Sequence, residues 1–453
     1  MDSLNAFSTD ALKRPVPRYT SYPTAPHFGP QVGAEAYRRW LGDLQPGAPV
    51  SLYLHLPFCQ TLCWFCACRT QGTKKYAPVT RYLDDLIAEI AHVAEALPGA
   101  SPVTQMHWGG GSPSMLMPED IALLAEAVSA AFPGLADAAF DIELDPRDLD
   151  AEKMDALADA GVTRISVGVQ DFAEPVQRAI GRMQGATLTA EVIGEMRARG
   201  IGSVGVDLVY GLPLQTEQSL ASTIEAVVAL DPDRLALFGY AHVPWLSKRQ
   251  KLIDAATLPR AEERRVQAAR ARRMLLEAGY QPVGIDHFAK PDDALAKAAR
   301  NRHLRRNFQG YTTDDAAALL AFGASAIGRM PQGYVQNQEI TAQYQGLIRD
   351  RGVATARGVA LGLEDRLRAD AIEQLLCYFE LDIGKLQARF GDLARPVERD
   401  VKNLFAMAPP ESLLPLRDRP GFAIAPEWTE HTRLIAAHFD AYLSEGHRHS
   451  LAL

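Results

Sequence analysis

Four of the five cysteines fall within one stretch of ten residues, at Cys59, Cys63, Cys66 and Cys68. Thiolates bind metals, and a compact group of them in a large chain is more typical of a metal or redox site than of a disulfide scaffold. The C-x3-C-x2-C spacing suits a 4Fe-4S cluster in which three thiolates bind three irons and the fourth iron stays open to another ligand. A zinc site, which would prefer paired cysteine knuckles or a histidine pair, and inert thiols are the alternatives.

A second candidate segment, Gly109-Gly110-Gly111 followed by Ser112, comes after the next apolar run along the chain. Glycines let a backbone approach a ligand closely, although three glycines by themselves are more often a turn. Neither a dinucleotide-binding G-x-G-x-x-G nor a phosphate-binding G-x4-G-K-[ST] pattern occurs at this position. Because it follows a strand and a cysteine loop, the segment predicts backbone contacts with a bound ligand.

Between residues 50 and 245, short β-branched runs alternate with longer runs of helical period, as in βα units on a parallel sheet. Six strands are predicted, over 51–57, 104–108, 140–145, 164–169, 204–209 and 234–240. The cysteines follow the first strand, the glycines follow the second, and the other four strands lead to Glu143, Gln170, Asp207 and His242. Since ligands gather at the carboxyl ends of parallel strands, we expect the site at this end of a barrel or doubly wound sheet.

The two ends of the chain differ from this α/β middle. Residues 1–45 carry five prolines and no clear helical or strand period, which predicts an extended arm. The last part has helical patterns over 364–380, 383–390, 396–406 and 429–443, with a strand-like interruption at 413–425. We therefore expect three segments: an arm over 1–45, a barrel domain over 46–345 and a small, mostly helical domain over 346–453.

The 453 residues include 47 basic and 55 acidic side chains, for a formal net charge of -8. Nucleic acids and anionic membranes attract positively charged faces, so this balance argues against either as a general partner. The N-terminus lacks the basic and apolar regions of a signal peptide, and no stretch approaches the roughly 18 apolar residues of a membrane span. We expect a soluble, cytoplasmic protein that binds neither nucleic acid nor membrane.

The cysteine spacing, with an aromatic residue before the third cysteine, resembles the radical S-adenosylmethionine (SAM) superfamily. Three blocks resemble the oxygen-independent coproporphyrinogen III oxidases within it: Arg18-Tyr-Thr-Ser-Tyr-Pro-Thr-Ala25, the C-x3-C-x2-C-x-C form that includes Cys68, and Arg306-Asn-Phe-Gln-Gly-Tyr-Thr-Thr313. The related heme-binding or heme-delivery proteins lack all three. The resemblance implies an α/β fold, a partial (β/α)6 radical-SAM barrel with an extended N-terminal arm and a helical C-terminal domain.

The resemblance also implies the site residues. Cys59, Cys63 and Cys66 would bind the 4Fe-4S cluster and, with Tyr53, form the catalytic centre. The SAM on the cluster would contact Tyr53, Gly110, Glu143 and Ile327. A second SAM in the same chain would contact Phe65, Gly111, Ser112, Gln170, Arg182, Asp207 and Ala241.

Several of these residues also have a purely structural interpretation. Glu143 and Asp207 could be helix caps or ion-pair partners, and Gln170 could satisfy barrel backbone groups. Arg182 could lie on a solvated helix face, although its guanidinium also suits bidentate binding of a SAM carboxylate. Tyr53, from its position on an apolar strand, could be a core residue.

For function, the resemblance implies oxidative decarboxylation of two propionates of coproporphyrinogen III to vinyl groups, which gives protoporphyrinogen IX in heme biosynthesis. A 5′-deoxyadenosyl radical made from SAM would take hydrogen from the propionate β-carbon. Candidates for binding the substrate carboxylates are Arg14, Arg18, Arg305 and Arg306. The family further suggests a monomer and an electron donor such as a flavodoxin. A heme-binding or heme-delivery protein is the alternative function.

Overall fold

The computed structural model describes Phe7 and residues 15–135 and 138–443. Its strands are β1 (Val50–Leu56), β2 (Phe58–Cys59), β3 (Gln71–Gly72), β4 (Val103–Gly110), β5 (Ala139–Leu144), β6 (Arg164–Gln170), β7 (Ser203–Tyr210), β8 (Arg234–Gly239), β9 (Gln281–Val283), β10 (His287–Ala289), β11 (Arg305–Asn307), β12 (Gly310–Thr312), β13 (Ala318–Phe322), β14 (Ile327–Met330), β15 (Gly333–Asn337), β16 (Thr355–Ala360), β17 (Glu380–Asp382), β18 (Leu413–Pro415) and β19 (Gly421–Ile424).

The helices are α1 (Ala34–Gly42), α2 (Ala77–Glu95), α3 (Pro118–Ala131), α4 (Ala151–Asp159), α5 (Glu174–Ile180), α6 (Ala186–Ala198), α7 (Glu217–Ala229), α8 (Ala261–Glu277), α9 (Ala294–Arg300), α10 (Thr341–Arg351), α11 (Leu363–Tyr378), α12 (Ile383–Phe390), α13 (Arg395–Met407) and α14 (Thr432–Ala437). Within the described ranges, none of these helices combines the length and the apolar character needed to cross a bilayer.

The chain forms two compact units, and each is built from separate stretches of sequence. The sheet unit comprises Phe28–Pro259 and Asp314–Ala360, and the helical unit comprises Met1–His27, Arg260–Thr313 and Leu361–Leu453. These bounds follow long-range packing, which sequence period does not report, so they differ from divisions placed at residues 45 and 345. The predicted three-segment division stays a prediction.

In the sheet unit the strands lie in the order β16-β15-β14-β13-β1-β4-β5-β6-β7-β8. The run from β1 through β4 to β8 is parallel, and β13 pairs in parallel with β1 on its other side. Strands β14, β15 and β16 extend the sheet in antiparallel fashion. The six predicted strands correspond to β1 and β4–β8, and the predicted α/β fold with a mostly parallel sheet is confirmed.

Alternation along these strands separates an apolar face from a polar one. On one face, Leu52, Met106 and Ile142 are at most 1% exposed. The neighbouring positions point the other way and are partly exposed: Tyr53, His107, Glu143, Ser166 and Asp207. The sheet therefore buries one face and presents the predicted ligand-binding side chains on the other.

The helical unit is built around helices α11 to α14 and the small antiparallel sheet β17-β19-β18. The helices predicted over 364–380, 383–390 and 396–406 are confirmed, and the strand-like interruption at 413–425 becomes β18 and β19. The predicted 429–443 helix was too long, because the chain there forms a 3-10 turn before the short α14. From the N-terminal arm, Val16, Tyr19 and Tyr22 are buried in this unit's core.

The extended arm predicted over 1–45 was too long, because α1 lies within that range. Tyr37, Trp40 and Leu41 are buried on one side of this helix. These positions repeat at helical spacing, but the repeat covers fewer than three turns. Such a short pattern is difficult to recognise after a stretch that contains five prolines. The structure thus replaces part of the predicted arm with an amphipathic helix of the sheet unit.

Glu89 on α2 ties the antiparallel extension of the sheet to the parallel strands. Its carboxylate accepts hydrogen bonds from the Gly323 N–H (2.7 Å), the Asn337 side-chain amide (2.7 Å) and the Tyr344 hydroxyl (2.8 Å). Burial raises the pKa of Glu89 from 4.5 to about 7, and the three hydrogen bonds offset only part of that effect. Folding therefore favours the protonated carboxyl group.

The pH dependence of stability tests this interaction. The folded protein binds a proton at Glu89 more tightly than the unfolded chain, so stability is lost as pH rises from about 4.5 through 7. We expect Glu89→Gln to remove roughly 2–3 kcal/mol of that decline, measured as the difference in thermal melting between pH 5 and pH 8. Glu225→Gln, at an exposed position of α7, is the control and should keep the wild-type profile. An unchanged profile in Glu89→Gln would contradict the assignment.

Candidate active site

The cysteine loop leaves the carboxyl end of β1 and is fixed at several points. Cys59 ends β2, which pairs with β3, and Cys63 is buried while Cys66 is half-buried. The backbone N–H of Trp64 donates to the Ile180 carbonyl oxygen at 2.8 Å. The Trp64 ring covers Gly181, where a Cβ atom would come within 2.9 Å of the indole. These contacts hold the three thiols on one anchored loop.

Positive groups and an N–H donor surround the sulfur atoms. Arg182 Nη1 lies 3.5 Å and Arg147 Nη2 lies 3.7 Å from Cys63 Sγ. The Cys68 N–H donates to Cys66 Sγ at 3.4 Å. Hydrogen bonds from the Cys68 side chain and from its N–H lower the pKa of Cys66 below its ordinary value. Both features stabilise sulfur that carries negative charge, as it does when it binds a metal.

The donor set fits an iron–sulfur cluster. Cys59, Cys63 and Cys66 are free, and they are the three thiols of the C-x3-C-x2-C loop. Among the described residues, no three His, Cys, Asp or Glu side chains surround the position of one metal ion. The three thiols of a cubane bind different irons, so they need not converge on one point. Burial raises the pKa of Cys59 to about 12, so cluster binding has to release its proton.

The glycine segment packs directly against the start of the cysteine loop. The Gly111 N–H donates to the Leu56 carbonyl oxygen (2.8 Å), and the Ser112 N–H donates to that of Phe58 (2.7 Å). A Cβ atom on Gly111 would lie 2.4 Å from the Phe58 oxygen. Gly110 has φ of +108°, a conformation that favours glycine. The glycines therefore form a close backbone contact between β4 and the cysteine loop. The predicted contact of this segment with a bound ligand stays a prediction.

Glu143 lies between the glycines and His107. Its Oε2 accepts from the Gly110 N–H at 3.0 Å, and its Oε1 is 3.3 Å from His107 Nε2. The surrounding protein partly desolvates Glu143 and so disfavours its charge, but the hydrogen bond and positive charge of His107 outweigh this effect and lower the pKa of the carboxyl group. The helix-cap interpretation of Glu143 fails. Its side chain stays 43% exposed, so the carboxylate is also accessible to a ligand.

Tyr53 is part of the same polar face rather than the apolar core. Its ring stacks on His107 with centroids 5.7 Å apart, and its hydroxyl is 3.0 Å from His55 Nδ1. The other ring nitrogen of His55 is 3.2 Å from the Arg69 carbonyl oxygen, in the cysteine loop. Tyr53 and Glu143 thus contact His107 from two sides.

Arg182 is buried, so it does not lie on a solvated helix face. Its Nη1 pairs with Asp145 Oδ2 at 2.9 Å, and its Nη2 donates to the Gly168 carbonyl oxygen at 2.6 Å. Gln170, at the end of β6, has φ of +69°, and its side-chain nitrogen lies 3.1 Å from where a Gly168 Cβ would stand. Arg182 and Gln170 therefore meet at Gly168.

The remaining predicted residues lie around this group. Asp207 Oδ2 accepts from the Ser166 hydroxyl at 3.3 Å, and the Ser112 hydroxyl donates to Asp148 at 2.7 Å. Gln250 Nε2 donates to the carbonyl oxygens of Phe65 (2.7 Å) and Ala241 (3.1 Å), which links those two predicted residues. Ile327 begins β14, and β13 separates this strand from β1.

Sequence reasoning missed three residues that organise the site. Asp145 and Arg147 stand two residues apart after β5, and Gln250 lies more than 180 residues beyond the cysteine loop. Asp145 and Arg147 directly follow the strand that leads to Glu143, and this position was the available signal. Nothing in the sequence pointed to Gln250.

Comparison with known proteins agrees with this geometry. The radical SAM superfamily model matches residues 53–227. The oxygen-independent coproporphyrinogen III oxidases of Cereibacter sphaeroides and Escherichia coli are 46% and 39% identical to this chain, and the matches cover 96% and 95% of it and 96% and 93% of those proteins. The chain belongs to the oxygen-independent coproporphyrinogen III oxidase family. The solved coproporphyrinogen III oxidase of E. coli, described as a radical SAM enzyme, superposes with a TM-score of 0.89 at 38% identity over 94% of this chain and 98% of that one.

Membership of the oxygen-independent coproporphyrinogen III oxidase family settles two expectations. A radical SAM fold implies a 4Fe-4S cluster and SAM, and the cysteine loop has the donor set for the cluster. The heme-delivery alternative is not favoured, because relatives across nearly the whole chain carry the oxidase name.

The close contact at Gly111 yields a direct test. In Gly111→Ala, the new Cβ atom would overlap the Phe58 oxygen, so the start of the cysteine loop must shift. We expect a lower iron content after anaerobic reconstitution, measured by iron and sulfide analysis. Gly194→Ala, on α6 with nothing within 4 Å of its Cβ position, is the matched control and should bind iron like the wild type. Full iron loading of Gly111→Ala would show that the contact does not position the loop.

Proposed function

We propose that this protein converts two propionates of coproporphyrinogen III to vinyl groups without oxygen, yielding protoporphyrinogen IX. The observation that carries the proposal is the anchored loop of Cys59, Cys63 and Cys66 above a polar strand face. Relatives named for this activity match nearly the full length of the chain. When bound and reduced, the cluster would supply one electron that cleaves SAM to methionine and a 5′-deoxyadenosyl radical. This radical would take hydrogen from the propionate β-carbon, and the substrate would then lose CO2 and pass one electron to an acceptor to leave the vinyl group.

The chain's own residues position these reactants. In our proposal Cys59, Cys63 and Cys66 hold three irons, and Tyr53, Gly110, Glu143 and Ile327 contact the SAM next to them. Support for Glu143 comes from its partly exposed carboxylate, which can accept from an ammonium or hydroxyl group. Tyr53 stacks on His107 and so fixes the imidazole that holds Glu143.

We also propose a second SAM site, formed by Phe65, Gly111, Ser112, Gln170, Arg182, Asp207 and Ala241. Its support is that Arg182 and Gln170 meet at Gly168, and that Asp207 lies beside Gly168 in the β6–β7 register. Arg182 Nε is a buried donor without a hydrogen-bond partner. A buried donor is costly when unpaired, so a ligand acceptor there would be stabilising.

For the substrate propionates we propose Arg306. Its side chain is 7% exposed, and its guanidinium lies 4.6 Å from the Tyr311 ring centroid. Its Nη1 forms an ion pair with Asp286 at 3.9 Å, and neither Nε nor Nη1 makes a hydrogen bond. Arg305 is half exposed and pairs with Glu373 at 3.4 Å, which favours a structural role. The Arg18 carbonyl oxygen accepts a hydrogen bond from Arg306 Nη2 at 3.4 Å. Arg14 lies outside the described residues.

We propose that the protein works as a monomer in the cytoplasm and takes electrons from a flavodoxin-like donor. The free state of all five cysteines supports a reducing compartment. An electron donor is needed because the cluster must be reduced before each cleavage of SAM.

Turnover under anaerobic conditions tests the activity. Reconstituted protein, a chemical reductant, SAM and coproporphyrinogen III should give vinyl product together with 5′-deoxyadenosine. Cys63→Ala should give neither, because one iron loses its ligand. Cys377→Ala removes a buried thiol from the core of the helical unit and should leave turnover nearly unchanged.

The same assay separates the alternatives. Stoichiometric heme binding without vinyl product would favour heme delivery over the oxidase. Equal turnover of Cys63→Ala and Cys377→Ala would show that the cysteine loop does not hold the catalytic cluster.

The number of SAM molecules is a separate prediction. Equilibrium dialysis of the reconstituted protein with labelled SAM should saturate at two per chain. Glu143→Gln should weaken the site next to the cluster, since the amide cannot carry the charge that His107 stabilises. Asp207→Asn should weaken the other site and leave the first intact. Saturation at one SAM per chain, or loss of both sites in Asp207→Asn, would rule out the two-site arrangement.

A further inference from the structure

An exposed apolar segment lies beside the cysteine loop. Trp245, Leu246 and Leu252 are 52%, 58% and 62% exposed, and Ile340 is 56% exposed. Leu246 and Ile340 line one cavity of about 470 Å3, together with Cys68. Clusters of large exposed hydrophobic side chains mark interaction sites more often than isolated ones do. We name residues 245–252 with Arg69 and Ile340 the donor-facing surface.

The donor-facing surface is basic in a chain that is acidic overall. Arg69, Lys248 and Arg249 line the cavity, whereas Glu339 is its one acidic lining residue and pairs with Arg69 at 2.7 Å. Lys248 and Lys251 are exposed and three residues apart in a 3-10 helix, so they lie on the same side of it. With a net charge of -8 on the whole chain, an acidic partner would be steered to this local region.

This surface is bonded directly to the loop that carries the cluster ligands. The Ser247 hydroxyl donates to the carbonyl oxygen of Cys66 at 2.9 Å. Arg249 donates to the Thr70 hydroxyl (2.8 Å) and carbonyl oxygen (3.0 Å). Beneath them, Gln250 is fully buried and donates to the Phe65 carbonyl oxygen. A protein bound here would therefore lie one layer of side chains from a cluster ligand.

We propose that the donor-facing surface docks an acidic flavodoxin-like protein that reduces the cluster. The inference rests on the proposed function, because only a radical SAM cluster needs this electron. One electron leaves the reduced flavin of the donor and enters the oxidised cluster, so the flavin is oxidised by one electron and no bond forms or breaks. Redox partners use small interfaces with electrostatic steering, which suits a basic rim around a few exposed apolar side chains.

A second copy of this chain is a poorer occupant. A twofold contact through the surface would bring Lys248 and Lys251 of both copies together. Like charges that meet across an interface oppose association, and the apolar area is confined to a few side chains.

The test uses the reconstituted full-length protein and a purified bacterial flavodoxin in its hydroquinone form. In Lys248→Glu/Lys251→Glu we expect the flavodoxin concentration for half-maximal cluster reduction to rise about tenfold, because two attractive charges become repulsive. Added salt should slow the wild-type reaction more than that of the variant. Reduction by dithionite, which needs no docking, should be unchanged.

The control variant is Lys385→Glu/Lys402→Glu, which makes the same change in net charge at exposed positions of α12 and α13 and should behave like the wild type. Equal flavodoxin dependence in the two double variants, or no reduction of the wild-type cluster by flavodoxin, would overturn the proposal. Slower dithionite-driven turnover in Lys248→Glu/Lys251→Glu would overturn it too. The surface would then contribute to binding SAM or the porphyrinogen rather than to docking an electron donor. Failure of the proposed function is distinguishable, because cluster reduction is followed without porphyrinogen.

Discussion

Asp145 holds two guanidinium groups against one thiol, and the geometry of the cysteine loop depends on that interaction. Its Oδ2 pairs with Arg147 at 2.6 Å and with Arg182 at 2.9 Å, and both arginines reach Cys63 Sγ. Burial disfavours its charge, but hydrogen bonding to Arg147 and the charge of Arg182 lower the pKa of Asp145, so the carboxylate stays ionised. Because Asp145 follows β5 directly, the sheet itself fixes the positive charge that faces the loop.

A steric constraint works together with this charge arrangement. A Cβ atom on Gly109 would lie 2.9 Å from the Glu143 carboxylate, one on Gly110 would lie 2.4 Å from the His55 ring, and one on Gly111 would lie 2.4 Å from the Phe58 oxygen. Each glycine thus makes room for a different neighbour, from β5, β1 and the cysteine loop. The three consecutive glycines bring these elements closer together than any side chain would allow.

Period and spacing predicted the parallel strands and the cysteine loop, because buried strands and compact thiol groups leave local signals. The SAM-contact residues came from resemblance to a family, since no spacing distinguishes Asp207 or Ala241 from ordinary strand ends. Contacts between distant segments were not predictable: Arg182 lies 37 residues from Asp145, and nothing local shows that they pair. The composition of the two compact units was not predictable for the same reason. In one of them, the Tyr19 hydroxyl of the arm donates to Asp440, 421 residues away.

The central claim is that Cys59, Cys63 and Cys66 hold a cluster with one iron left open for SAM. The most direct measurement is electron–nuclear double resonance on the reduced, reconstituted protein with SAM labelled at its amino nitrogen and carboxylate oxygens. The account predicts couplings from both groups to the cluster in the wild type. A reduced cluster that shows neither coupling at saturating SAM would contradict the claim, because its open iron would then not bind SAM.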